Sequence, residues 1–309
     1  MNCLETRLGR AVFRSPVFGV SGCTGHGYEM ADYTDLSAFG CVSLKTVTYL
    51  PRTGNRPERV AEVPAGMLSS IGLQNPGPDV FLAETMPRVL SALDRDQIVV
   101  SVAGDTVEEY VELCVRTAQQ YGERIAALEL NGACPNVTHG VGYFSRDPKA
   151  AAELVGAVRQ AVELPVFFKF NTNFENYLEV ARAIDEAGVD AIYTTNTPLG
   201  LKIDVRRRRP ALGNVVGPIC GPAIRPIGVL RTWNLYREVR TPLIASGGVS
   251  TWEDALEYIL AGASAVGVGS AQFARPDTVP AITADLRAYL AREGLDSLRT
   301  LVGAAHPEG

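Results

Sequence analysis

Eight short, almost wholly apolar runs recur along this chain, and amphipathic stretches separate most of them. The runs are Pro16–Val20, Gly40–Val47, Gln97–Ala103, Ala126–Leu130, Pro165–Phe170, Ala191–Thr195, Pro242–Ala245 and Ala265–Val268. Short, unbroken apolar runs predict strands covered on both faces, as in a parallel sheet. Between them Val107–Gln119, Pro148–Val162, Glu175–Ala187, Leu230–Val239, Trp252–Ala261 and Val279–Glu293 carry a helical pattern. Proline follows Asp147 at one helix start, and Gly188 and Gly262 stand where two others stop, which suits first-turn and terminal positions. Strands alternating with helices pair in parallel through right-handed crossovers. A doubly wound sheet and a closed barrel both satisfy that rule. Eight strands in 309 residues favour a single α/β domain over residues 1–309, a (β/α)8 TIM barrel with elaborated βα loops. Residues 48–96, rich in Pro and Gly, and Leu199–Pro226, which contains Arg206–Arg209, read as long loops, the kind that usually carry function.

Composition narrows the setting. A net charge of -5 leaves no basic footprint for nucleic acid. Met1–Arg10 lacks an apolar core for a secretory signal, and no apolar run is long enough to span a membrane, so a cytoplasmic protein is expected. The six cysteines (Cys3, Cys23, Cys41, Cys114, Cys134 and Cys220) show no CxxC pairs and read as reduced thiols, with no metal site. The 30 glycines exceed the usual share and fit a backbone pressed against a ligand.

In a barrel the chemistry sits where the strands end. The residues there are Ser21-Gly22, Lys45-Thr46, Gly104, Asn131, Lys169, Asn196-Thr197, Gly247-Gly248 and Gly269-Ser270. Glycines after the last two strands let backbone amides close on a phosphate, or simply make tight turns. Lys45 and Lys169 end strongly apolar strands, where a charge needs a partner. That partner is an anionic or electron-rich cofactor, or an acidic residue at the rim. Cys134 lies between Asn131 and Asn136, placed to act as a base or nucleophile, or to fill space as a small hydrophobe. Of the histidines, His26 belongs to the loop after the first strand, His139 to the loop after Cys134 and His306 to an inert tail.

Several segments together resemble class 1 dihydroorotate dehydrogenases, in particular the subtype that works beside an iron–sulfur flavoprotein subunit. They are residues 21–27 (SGCTGHG), 44–48 (LKTVT), 51–55 (PRTGN), 71–77 (IGLQNPG), 131–136 (NGACPN), Asn196-Thr197, Gly247-Gly248 and Gly269-Ser270. The stretches Leu201–Asp204, Arg209-Pro210 and Gly221–Ala223 extend the likeness. The resemblance implies FMN over the barrel mouth, contacted by Lys45 and Lys169 and lined by Ser21, Gly22, Thr46, Asn131, Thr195, Gly221, Gly247, Gly248, Gly269 and Ser270. It implies Cys134 as the base, and Lys45, Ser69, Ile71, Gly72, Leu73, Asn131, Asn136, Asn196 and Thr197 as the groups holding a planar pyrimidine. It also implies a homodimeric core and an electron-transfer partner carrying FAD and an iron–sulfur cluster, for which this chain has no cluster-binding cysteines of its own.

Four places depart from the family pattern: Ser69 stands for asparagine, Gly132-Ala133 for a bulky residue and a serine, Phe170-Asn171-Thr172 for Leu-x-Pro, and Cys220 for serine. Three readings follow. The chain oxidises dihydroorotate to orotate with FMN. Alternatively, it keeps FMN and Cys134 but acts on another cyclic amide or carbonyl compound, because lost hydrogen bonds change discrimination steeply. In the third, it is a flavin-binding subunit without turnover.

Overall fold

A computed structural model describes residues 2–133 and 142–307. Its eight parallel strands are β1 (Val17–Gly19), β2 (Cys41–Ser43), β3 (Ile98–Ala103), β4 (Ala127–Asn131), β5 (Val166–Lys169), β6 (Ala191–Tyr193), β7 (Leu243–Ser246) and β8 (Ala263–Val268). Each falls within or overlaps one apolar run of the sequence. Neighbours in the chain are neighbours in the sheet, and β8 pairs with β1, which closes the barrel. Outside lie α1 (Met86–Ala92), α2 (Val107–Tyr121), α3 (Pro148–Ala161), α4 (Tyr177–Glu186), α5 (Arg225–Tyr236), α6 (Trp252–Leu260) and α7 (Thr278–Glu293). Local caps fix where several begin. The Asp147 carboxylate accepts from the N–H groups of Lys149 and Ala150 ahead of α3, and Thr251 with Asp254 forms a reciprocal box at α6, satisfying donors that a helix start leaves open.

The two stretches read as loops are largely ordered into regular elements, and they meet. Residues 48–96 contain a hairpin, Val60–Val63 with Gly66–Ser69, and a helical stretch that begins at Pro78 and runs into α1. Leu199–Pro226 contributes the short strands Leu199–Gly200 and Gly217–Cys220, and the latter pairs with Gly66–Ser69. Together they make one four-stranded antiparallel sheet. The hairpin strands alternate weakly and prolines punctuate the helix, so propensity alone hid them; tertiary pairing over about 150 residues supplies the order. Arg206–Arg209 stays exposed, and Asp204 accepts from the N–H groups of Arg206 and Arg207 at 3.0 Å each.

Alternate strand residues point inward. At one end Phe18, Cys41, Val99, Ala127, Phe167, Ala191, Ile244 and Ala265 form an apolar layer sealed by Leu8, Ala11 and Phe13. Those three come from a hairpin, Thr6–Leu8 with Ala11–Phe13, that the apolar runs did not reveal. Phe13 packs at 5.0 Å from Phe18 and 6.1 Å from Phe167. The plug is latched by Asp190, whose carboxylate accepts from Arg10 Nε at 2.9 Å, Arg10 Nη2 at 2.8 Å and the Val166 N–H at 2.9 Å. Burial alone would raise the Asp190 carboxyl, but these hydrogen bonds outweigh it and hold it below its ordinary value.

That depression sets a pH dependence. A carboxyl whose folded pKa is lowered adds stability that is present above the unfolded value, about 3.9, and is lost as pH falls through the folded one. Asp190→Asn should therefore lower the unfolding free energy by about 1–3 kcal/mol at pH 7. The urea midpoints of variant and wild type should converge below about pH 3; a gap of constant size down to that pH would show that the carboxylate's charge is not the source.

Candidate active site at the barrel mouth

The second strand is broken where chemistry was expected. Leu44 N–H still donates to Val99 O on β3 at 2.9 Å, but the chain then pairs with β3 again only at Val47–Thr48, and the N–H groups of Lys45 and Thr46 turn elsewhere. Lys45 N–H donates to Gly25 O at 2.8 Å and Thr46 N–H to Ser21 Oγ at 3.2 Å. Such a local break re-aims side chains, and here it binds the β1 loop to Lys45 and Thr46. Thr46 Oγ1 also accepts from Asn131 Nδ2 at 3.0 Å, while Asn131 Oδ1 accepts from the Ala133 N–H at 3.3 Å. Ser21, Thr46 and Asn131 thus form one hydrogen-bonded group.

Lys169 ends β5 in register with Asn131 on β4 and Tyr193 on β6. Its ammonium lies 5.7 Å from the Tyr193 ring centre. Among the described residues it has no hydrogen bond and no ion pair. The rim ion pair that would have been the ordinary explanation for this lysine does not form there. Beside Lys45, the His26 imidazole is pushed below its ordinary pKa by burial, with Lys45 and Arg88 adding to the effect and Glu29 opposing it; its Nδ1 is buried without a partner among the described residues.

The opposite wall is built from turns after β6, β7 and β8. A Cβ on Gly247 would stand 3.1 Å from Ile224 Cδ1 and 3.5 Å from Thr195 Cγ2. Gly248 (φ +73°) faces the Gly221 carbonyl, which a Cβ would approach to 2.9 Å; the two turns can lie this close only without side chains. Cys220 donates from Sγ to Met67 O at 3.4 Å, and burial raises its thiol while a hydrogen bond with Ser270 opposes the rise. Gly269 adjoins Val20 and Cys23, and a Cβ on Gly22 would meet nothing within 4 Å.

Ser69 closes the hairpin strand, and Ile71, Gly72 and Leu73 follow it. Asn55 holds this segment: its N–H donates to Ile71 O at 3.0 Å and its Nδ2 to Ser70 Oγ at 2.8 Å. Leu73 sits at φ +52°, a strained conformation for a branched side chain that persists only when its surroundings enforce it. Asn75 Nδ2 donates to Leu73 O at 2.7 Å and to Thr48 Oγ1 at 2.7 Å. On the far side Asn196 Nδ2 donates to Ala133 O at 2.9 Å and its Oδ1 accepts from the Thr197 N–H at 2.9 Å, tying two mouth loops together. Cys134, Asn136 and His139 lie outside the described residues. His306 is no loose tail: it stacks on Trp233 at 3.7 Å.

Beneath the mouth is a group of residues that the strand-end reading passed over. Glu129 on β4 is wholly buried. Its carboxylate accepts from Ser101 Oγ at 2.8 Å and from Ser43 Oγ at 2.9 Å, and Ser43 Oγ lies 2.7 Å from Tyr193 OH. Ser101 Oγ is 2.9 Å from Thr46 Oγ1. Because β2, β4 and β6 are not adjacent, the bonds among Ser43, Glu129 and Tyr193 cross the barrel interior. The sequence signal was present as polar residues at inward positions of otherwise apolar strands.

Taken as a whole, the chain matches relatives of known kind. The family model described as dihydroorotate dehydrogenase matches residues 3–290. The chain belongs to the dihydroorotate dehydrogenase family. It is 45% identical over 296 residues, 96% of this chain and 95% of the relative, to a protein of Desulforudis audaxviator named dihydroorotate dehydrogenase B (NAD(+)), catalytic subunit. Proteins of the same name from Geobacillus kaustophilus and Anoxybacillus flavithermus are 42% and 41% identical over the whole chain, covering 97% and 98% of their own lengths. Within this dihydroorotate dehydrogenase fold two of the departures have a packing reason. A Cβ on Gly132 would stand 3.1 Å from Phe168 Cζ and 3.4 Å from Phe144 Cβ, so the space for a bulky residue is filled by the Phe168 ring and the base of the Phe144 side chain. Cys220 is turned to a backbone carbonyl of the small sheet.

Gly132→Ile should thus overpack the site and cost about 1–3 kcal/mol. Adding Phe168→Leu should recover at least half of that loss in a double-mutant cycle read by thermal unfolding; strict additivity would mean that the ring does not occupy the missing volume.

Proposed function

We propose that this chain is an FMN-dependent oxidoreductase that converts dihydroorotate to orotate, as a single catalytic domain. The observation that carries the reading is Lys169, an ammonium at the end of a barrel strand with no polar partner among the described residues. A half-buried cation without a polar partner there favours an electron-rich or anionic group above it. The mouth also suits a flavin in shape: open space beside Gly22, a glycine wall at Gly221, Gly247 and Gly248, and strand-end turns at β7 and β8 of the kind that cradle phosphate. Relatives matching nearly the full length are named dihydroorotate dehydrogenase B catalytic subunits, and the packing roles of Gly132 and Cys220 remove two reasons for expecting another substrate.

In this reading Lys45, Lys169, Ser21, Gly22, Thr46, Asn131, Thr195, Gly221, Gly247, Gly248, Gly269 and Ser270 hold FMN. Lys45, Ser69, Ile71, Gly72, Leu73, Asn131, Asn136, Asn196 and Thr197 hold the pyrimidine and its carboxylate. A flavin held by these residues would supply the hydride acceptor for oxidation of the substrate ring. Cys134, as thiolate, takes the proton from the carbon α to the ring carbonyl. The amides of Asn131 and Asn196 are preset by their bonds to Thr46 and Ala133, so they fix the ring plane without reorganising. Electrons then pass to a partner subunit carrying FAD and an iron–sulfur cluster, and the catalytic chains pair as a homodimer. No helix among the described residues is long and apolar enough to cross a membrane.

Anaerobic mixing of the purified yellow protein with dihydroorotate should bleach the flavin absorbance within a turnover; a full flavin complement that stays oxidised would exclude this substrate. Cys134→Ser should retain flavin and slow that bleaching at neutral pH by about 10²-fold or more, since a serine hydroxyl is a far poorer base. An unchanged rate would remove Cys134 from proton transfer.

A further inference from the structure

Glu129 carries the buried carboxylate at the centre of the cross-barrel network. It does not reach the mouth, and neutral apolar residues fill the layer beneath it. A carboxylate is an acceptor only, so it dictates the direction of every hydroxyl joined to it. Ser101 and Ser43 both spend their protons on it. Thr46, 2.9 Å from Ser101 Oγ, must then donate to Ser101, which leaves Thr46 Oγ1 as an acceptor. Asn131 meets it with Nδ2 and not Oδ1, and the amide is turned so that Oδ1 receives the Ala133 N–H. On the other side Ser43 must accept from Tyr193. Burial first, and the nearby Glu129 second, hold the Tyr193 phenol well above its ordinary pKa, so it keeps the proton that it donates. Two chains of donors therefore run toward one acceptor, Asn131 to Thr46 to Ser101 to Glu129, and Tyr193 to Ser43 to Glu129.

We propose that Glu129 is a positioning residue: through Ser101 and Thr46 it fixes the orientation of the Asn131 amide, and through Ser43 and Tyr193 it sets a negative charge beneath Lys169 that tunes the flavin. The proposal rests on the reading of the mouth as an FMN and dihydroorotate site. Its two arms make separable predictions. The Tyr193 arm ends under Lys169, whose ammonium makes no hydrogen bond or ion pair among the described residues, so its influence is electrostatic. The Ser101 arm ends on an amide assigned to the substrate, so its influence is on orientation.

The direct test is Glu129→Gln in the flavin-loaded protein, with the midpoint potential of the bound flavin measured by dye equilibration in the absence of substrate. Loss of the negative charge should favour the reduced flavin about tenfold, an upward shift of about 30 mV for a two-electron couple, and Glu129→Asp should return most of it. A loaded Glu129→Gln protein with an unshifted potential overturns the electrostatic half of the proposal. Should Glu129→Gln fail to fold, Ser101→Ala and Tyr193→Phe carry the test. Ser101→Ala should raise KM for dihydroorotate about tenfold more than it lowers kcat, with the potential unmoved. Tyr193→Phe should move the potential with KM within about twofold of wild type. Equal effects of the two variants on both quantities overturn the proposal and leave Glu129 a plain structural group. A wild-type protein that binds no flavin at all would instead defeat the functional reading, an outcome visible before any variant is made.

Discussion

The interior of a closed barrel is packed with side chains, and a polar one pointing inward has to find its partners among its neighbours. That constraint organises this molecule. The floor avoids it with an apolar layer under the plug of Leu8, Ala11 and Phe13. The middle meets it with a carboxylate and the hydroxyls of Ser43, Ser101 and Tyr193, bonded across the interior. Only at the top, where Lys45, Lys169 and Asn131 emerge, does the interior meet open space. The ascent from apolar to paired polar to charged is also the route by which a fold becomes a site. Each layer supports the next, and a lysine could not be held at the rim over a loosely packed polar middle.

Much of this was legible beforehand, and for a physical reason. Strands buried on both faces are spelled as unbroken apolar runs, so all eight could be read directly. The strand-end rule then pointed to Ser21, Lys45, Asn131 and Lys169, since a barrel places strand ends together whatever the loops do. What escaped was whatever depends on distant partners. Val60–Val63 and Gly217–Cys220 become strands because they border one another through Gly66–Ser69. The N-terminal hairpin is ordered by the barrel floor it closes. Glu129 stands inside the run Ala126–Leu130, but a single carboxylate in an apolar strand gives no hint of which hydroxyls will find it.

The departures from the family pattern show how a sequence difference can mislead. Gly132 read alone was a departure pointing to another substrate; beside Phe168 and Phe144 it is a space already filled. Among the described residues nothing compensates for Ser69 in the same way. Strain at Leu73, held by Asn55 and Asn75 from two sides, marks the same segment as one where the backbone is fixed at some expense. The mouth is thus preset on one flank by hydrogen-bonded amides and on the other by glycine turns.

The path of the cross-barrel bonds has a consequence for how the two halves of the chain share the work. Ser21, Ser43, Thr46, Ser101, Glu129 and Asn131 all belong to β1–β4 and their loops. The second half supplies Tyr193 to that network, along with Lys169 and the turns after β7 and β8. One half-barrel is thus a rigid frame that orients dipoles, and the other is a cradle that offers charge and room. Tyr193 alone bridges them within the network, a hinge pin between two dissimilar halves of a fold that looks, from its strands, eightfold alike.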